Sequence, residues 1–135
     1  MIKLKDLLFE RSANDSDDTG GVLYSCFNEF LLCLTAQSRQ WNVPKGHIMI
    51  DETPSKGSLR EFTEETQIIL NGNPKLLETF NKPDGGKMHM YALEGEKRFV
   101  PRLDHEHVDW GYFSKDKLPS PLNEFVEIAI GKYYD

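Results

Sequence analysis

The chain contains no run of about 18 apolar residues, the length a membrane-crossing helix requires. Its opening, MIKLKDLLFERS, offers neither the apolar centre nor the small-residue cleavage site of a secretory leader. These absences set the cytoplasm as the expected compartment and exclude a membrane partner. Cysteine is scarce: Cys26 and Cys33 stand in an apolar stretch without a CxxC pattern. If that stretch is a hairpin turning at Asn28-Glu29, they do not face each other, so both read as small buried residues and not as a disulfide. Basic residues are outnumbered, 16 Lys and Arg against 22 Asp and Glu, for a net charge of −6. That balance argues against a long nucleic acid as partner, which calls for Lys and Arg clustered on one face. An acidic protein can hold a polyphosphate only with something cationic between them, and a metal ion serves. Internal repeats and low-complexity segments are lacking too.

What remains is an ordinary globular composition, 39% apolar and 28% charged, in 135 residues, the size of one domain. Residues 2–9 are mildly amphipathic. The polar, acidic stretch SANDSDDTGG, ending at Gly21, reads as a solvated loop. VLYSCF and FLLCLTA then flank a short polar break, as the arms of a hairpin do. Pro44 and Gly46 bend the chain in WNVPKGHIMIDET. From Pro54 to about Leu70 the period becomes helical, with Leu59, Phe62, Thr66 and Ile69 on one side and Glu61, Glu64 and Glu65 on the other. Ser55 or Ser58 is the expected cap. LLETF and MHMYAL, joined by Pro83-Asp84-Gly85-Gly86, and VDWGYF read as strands. Ser120-Pro121 is expected to open a final helix with Leu122, Phe125, Val126 and Ala129 inward and Gly131 at its end. Strands, a central helix, more strands and a closing helix make a layered α/β or α+β domain.

The central helix carries the chemistry. Residues three and four apart share a helix face, so Glu61, Glu64 and Glu65 project together, although like charges at that spacing repel. Clustered carboxylates are what hard, oxygen-seeking cations such as Mg²⁺ and Mn²⁺ require. Arg60 adjoins Glu61 and precedes Glu64 by one turn, so it can orient a carboxylate. Gly46 lets the backbone come close to a phosphate or metal, and Glu52 enters from the same loop.

Together these residues resemble the Nudix box, GX₅EX₇REUXEEXGU, with U a bulky aliphatic residue. Gly46, Glu52, Arg60, Glu61, Glu64 and Glu65 match, and Phe62 and Ile68 stand at the U positions. The late glycine is replaced by Gln67; if that position takes φ > 0, glutamine costs on the order of 1 kcal/mol there. The resemblance implies an α/β/α sandwich with a mixed sheet, a central catalytic helix and a C-terminal helix, residues 1–135 forming a single hydrolase domain. It implies Mg²⁺, with Mn²⁺ as substitute, held by Glu61, Glu64 and Glu65 with the backbone carbonyl of Lys45, while Arg60 orients a glutamate and Glu52 supports the site.

In many Nudix enzymes an acidic residue outside the box binds a further metal or acts as base. Glu106, just before VDWGYF, is similarly placed, with Asp104 and Asp109 as weaker substitutes. His105 and His107 alternate around Glu106 and share a strand face, but no third histidine or cysteine is spaced to complete a zinc site. Trp41-Asn42-Val43-Pro44-Lys45-Gly46 resembles the W-x-x-P-K-G run of the family's dinucleoside polyphosphate hydrolases. Trp41 reads equally as core, Lys45 as a phosphate contact or an exposed lysine, and His89 as structural. Tyr24, Phe80, Tyr91 and Tyr112 are able to stack on a base. The reaction implied is attack of water on the phosphorus of a nucleoside diphosphate linked to a group X, with Glu106, Glu64 or Glu65 taking the proton. X would be a dinucleoside polyphosphate's second half, ADP-ribose's ribose or a triphosphate's terminal phosphate. The partner is thus a small nucleotide, and the protein a monomer or homodimer. The alternative is a Nudix-fold sensor that binds a nucleotide without cleaving it.

Overall fold

The computed structural model describes residues 14–135. The amphipathic stretch at 2–9 lies outside them. In chain order the elements are β1 (Asp15–Cys26), β2 (Glu29–Thr35), β3 (Trp41–Asn42), β4 (Lys45–Met49), α1 (Pro54–Thr66), β5 (Lys75–Asn81), β6 (Lys87–Gly95), β7 (His107–Ser114) and α2 (Glu124–Tyr133). The strands form a mixed sheet of order β3-β2-β1-β6-β5, with β4 also pairing β1 and β7 pairing β2. β1 and β6 run parallel; the other pairings are antiparallel.

Alternation along β1 and β2 sorts their side chains between the two faces. Val22, Tyr24, Cys26 and Leu31 meet Phe62 of α1, while Leu23, Phe30 and Leu32 meet Val126, Ala129 and Ile130 of α2. The result is an α/β/α sandwich with a core on each side of the sheet. Stacking of Phe80 on Phe125, with ring centroids 4.5 Å apart, ties α2 to β5, and the edge contact of Trp41 with Phe113 ties β3 to β7. Both cysteines are buried and unbridged.

Several local expectations are corrected. The acidic stretch before Gly21 is the first half of β1 and not a solvated loop: Asp15 pairs with Met49, Thr19 with His47 and Gly21 with Lys45. Its Asp, Ser and Gly content hides the strand, and the glycines are there for clearance. A Cβ on Gly20 would stand 2.1 Å from Ser58 Oγ of α1. The hairpin turns one residue earlier than expected, at Phe27-Asn28, whose φ values of 50° and 62° suit the left-handed pair that a tight hairpin favours. The final helix begins after Asn123, whose side chain accepts hydrogen bonds from Phe125 N and Val126 N, and it runs through Gly131.

α1 is capped by Thr53, with Pro54 at its first position, rather than by either serine. It ends at Thr66, not Leu70, and Ile69 lies outside the helix and exposed. Gln67 terminates it at φ 63°, its N–H donating to Thr63 O at 2.8 Å and its Nε2 to Glu64 O at 3.2 Å. A left-handed non-glycine residue costs roughly 1–2 kcal/mol, offset in part by the larger unfolded-state entropy of glycine. Gln67→Gly is therefore expected to raise the melting temperature by about 2–4 °C in a thermal scan. A lower value would mean that the Gln67 side-chain bond outweighs the backbone strain.

Candidate active site

Two of the three helical glutamates, Glu61 and Glu64, converge with Glu52 of the preceding loop on one guanidinium. Arg60 Nε and Nη2 donate to Glu52 at 3.1 and 2.6 Å. Its Nη1 donates to Glu61 Oε1 at 3.0 Å and to both oxygens of Glu64 at 3.1 and 3.0 Å. Nη2 also reaches His47 O at 3.0 Å, which ties the helix to β4. The planar five-donor fork is what permits this; an ammonium has no such geometry. The hydrogen bonds that Arg60 donates to Glu52 are the main reason its pKa lies above its already high ordinary value.

The carboxylates differ in setting. Glu61 is fully buried. Gly46 makes room for it: a Cβ there would lie 2.0 Å from Glu61 Oε2 and 2.2 Å from its carboxyl carbon. The close approach at Gly46 is thus made by a protein carboxylate. Glu65, also buried, accepts from Lys45 N at 3.0 Å, and Glu52 accepts from Met49 N at 2.8 Å. Gly57 is bare because a Cβ would stand 2.8 Å from Glu52 Oε1. Glu64 is the most exposed carboxylate of Arg60's three.

The start of β7 brings a second set of acids to the C-terminal half of α1. Carboxylate oxygens of Glu65, Asp104 and Glu106 lie within 4.8 Å of one another. Asp104 Oδ1 accepts from Glu106 N at 3.1 Å and bonds His107 Nδ1 at 2.8 Å. Burial works to raise the Asp104 pKa, but the bond and charge of His107 and the Glu106 N–H outweigh it, so the group lies below the ordinary carboxylate range. Cys33 sits behind this cluster; burial, then the charges of Glu65 and Asp104, push its thiol far up, so it is no ready nucleophile.

Other candidates fall elsewhere. His105 is exposed and separate from the Glu65–Asp104–Glu106 cluster. His89 bonds Asp18 at 3.1 Å. Tyr24 is buried with its hydroxyl on Lys97 O, Tyr91 is buried, Phe80 is stacked on Phe125, and Tyr112 lies under the Arg98 guanidinium. Sequence reasoning overlooked the Asp104–His107 pair; only the short D-H-E-H run hinted at it.

A family model described as NUDIX domain matches residues 17–131. A search of curated proteins finds no match. Among solved structures, a MutT NUDIX hydrolase from Burkholderia pseudomallei is 22% identical, with TM-score 0.72, over 85% of this chain and 95% of that one. An Ap4A hydrolase from C. elegans, solved as a binary complex, is 19% identical with TM-score 0.74 over 86% and 95%. The NUDIX domain of NrtR from Shewanella oneidensis, solved with ADP ribose, is 16% identical with TM-score 0.74 over 98% and 97%. At this identity the likenesses establish the fold.

Removing Arg60 would leave the buried Glu61 charge without its guanidinium partner, a loss of about 3 kcal/mol. Denaturant unfolding of Arg60→Ala is expected to show it, and adding Glu61→Gln to recover a substantial part. Equal stability of the single and double variants would mean that Glu61 does not depend on Arg60.

Proposed function

The chain belongs to the Nudix family of pyrophosphohydrolases, and from that premise we propose that it uses Mg²⁺ to hydrolyse a nucleoside diphosphate linked to a second group. The observation that carries this reading is the convergence of Glu52, Glu61 and Glu64 on Arg60, whose single positive charge meets three carboxylates. Glu65 adds a fourth, backed by the Lys45 N–H. A set of oxygen donors with surplus negative charge fits a hard divalent cation, and Mn²⁺ is the natural substitute.

Glu61, Glu64 and Glu65 are the residues to hold the cation, with the Lys45 carbonyl as a further oxygen donor and Glu106 reaching in from the loop before β7. Arg60 keeps the helical carboxylates oriented, and Glu52 braces Arg60 by accepting from two of its nitrogens. A divalent cation bound there supplies positive charge against the diphosphate and makes the attacking water more acidic. Glu106, the most exposed of its cluster, is the candidate to take that water's proton on its carboxylate oxygen, with Glu64 and Glu65 as the other bases within the site. Burial of Glu61 and Glu65 shields both carboxylates from bulk water.

The W-x-x-P-K-G run at Trp41–Gly46 favours a dinucleoside polyphosphate as substrate, a direction that the likeness to the C. elegans Ap4A hydrolase supports. ADP-ribose and nucleoside triphosphates come next.

Incubating the protein with Mg²⁺ and dinucleoside polyphosphates, ADP-ribose and dNTPs is expected to yield a nucleoside monophosphate and its partner. Glu64→Gln and Glu65→Gln should each slow that turnover on the order of 10³-fold. Nucleotide binding that raises the melting temperature without any turnover would replace this reading with that of a sensor.

A further inference from the structure

His107 is almost fully buried, its side chain only 5% exposed, yet one of its ring nitrogens has no hydrogen bond among the described residues. Nδ1 is engaged with Asp104 Oδ1 at 2.8 Å. Nε2 faces Glu65 Oε2 at 3.9 Å, beyond hydrogen-bond reach. Asp104 Oδ1 occupies the Nδ1 side of the ring, so Nε2 is the nitrogen aimed at Glu65. A ligating histidine is held in this way: one nitrogen donates to a carboxylate while the other binds the cation.

The chain has a specific device for aiming this ring. Between Leu34↔Asp109 and Thr35↔His107 the β2–β7 register shifts, with one residue on β2 opposite two on β7. The extra residue is Val108, which is exposed. Strict alternation would put His107 on the same face as Asp109; the bulge puts it on the face of Trp110, towards α1. A cation with two donors at roughly 2.1 Å each can span up to about 4.2 Å between them, so the 3.9 Å gap admits one.

We propose that His107 completes a cation site with Glu65, Asp104 and Glu106, and that its mixed nitrogen and oxygen donors favour a transition cation such as Mn²⁺ or Co²⁺ over Mg²⁺. This deepens the functional reading above and rests on it for Glu65 and Glu106. Imidazole is a better donor to later first-row ions than to Mg²⁺, which favours oxygen throughout.

The test is pulsed EPR of the resting protein loaded with Mn²⁺ alone, read for coupling to an imidazole ¹⁴N. The coupling should be present in the wild type and absent in His107→Asn. The asparagine amide can replace the Nδ1–H donor to Asp104 but not Nε2, so a merely structural role would survive this substitution. The Mn²⁺ dissociation constant should weaken about tenfold or more in His107→Asn. No imidazole coupling in the wild type, coupling that persists in His107→Asn, or no Mn²⁺ bound at all would each overturn the proposal. Mg²⁺-dependent turnover, measured separately, keeps the two readings apart. Turnover without imidazole coupling refutes this site alone, and coupling without turnover refutes the hydrolase reading alone.

Discussion

The site depends on one arginine side chain. Arg60 meets Glu52, Glu61 and Glu64 and the carbonyl of His47. Carboxylates one turn apart on α1 repel, and without a cation among them the helix would lose stability or turn the glutamates apart. The guanidinium resolves this with geometry as much as with charge. Its fork reaches residues from the helix, the helix-entry loop and β4 at once, and so sets the register between α1 and the sheet. It offsets only part of the negative charge. The remainder is surplus negative charge, the setting that suits a divalent cation.

The glycines around the site follow from the same constraint. Gly46 gives its Cβ space to the buried Glu61 carboxyl, Gly57 does so for Glu52, and Gly20 for Ser58. Gly46 and Gly20 are points where α1 comes closer to the strands than a side chain would permit, and Gly57 is where it comes closest to its own entry loop. The helix must sit low for carboxylates on a buried face to reach the start of β4. Gln67 closes α1 in a left-handed conformation that glycine adopts more readily. The position affects stability and leaves the carboxylates where they are.

Much of this was legible in the sequence, because spacing on a helix translates directly into position. Glu61, Glu64, Glu65 and Arg60 share one face in any helix, and their distances from Gly46 and Glu52 carry the family pattern. The strands read from short apolar runs, VLYSCF, FLLCLTA, MHMYAL and VDWGYF, all lie within β1, β2, β6 and β7 or next to their ends. What stayed hidden depends on contacts between distant residues. The first half of β1 is polar and glycine-rich because β4 and α1 crowd it, and composition alone reads as loop. The cap of α2 is Asn123 because Trp41 holds the preceding chain, with Trp41 N donating to Pro121 O and Asn123 N to Trp41 O. A bulge at Val108 shifts the facing of His107 and has no signature in local pattern, so the Asp104–His107 pair emerges only from the folded chain.

The central claim is that the assembled glutamates are a divalent-cation site in the resting protein. Thermal unfolding across a Mg²⁺ series tests it most directly. A cation that binds only the folded chain stabilises it by about 2.7 kcal/mol at a hundredfold excess over its dissociation constant. The melting temperature should climb steadily with Mg²⁺ in the wild type and stay nearly flat in Glu61→Gln. A wild-type melting temperature indifferent to Mg²⁺, or a Glu61→Gln variant that responds just as strongly, would contradict that claim.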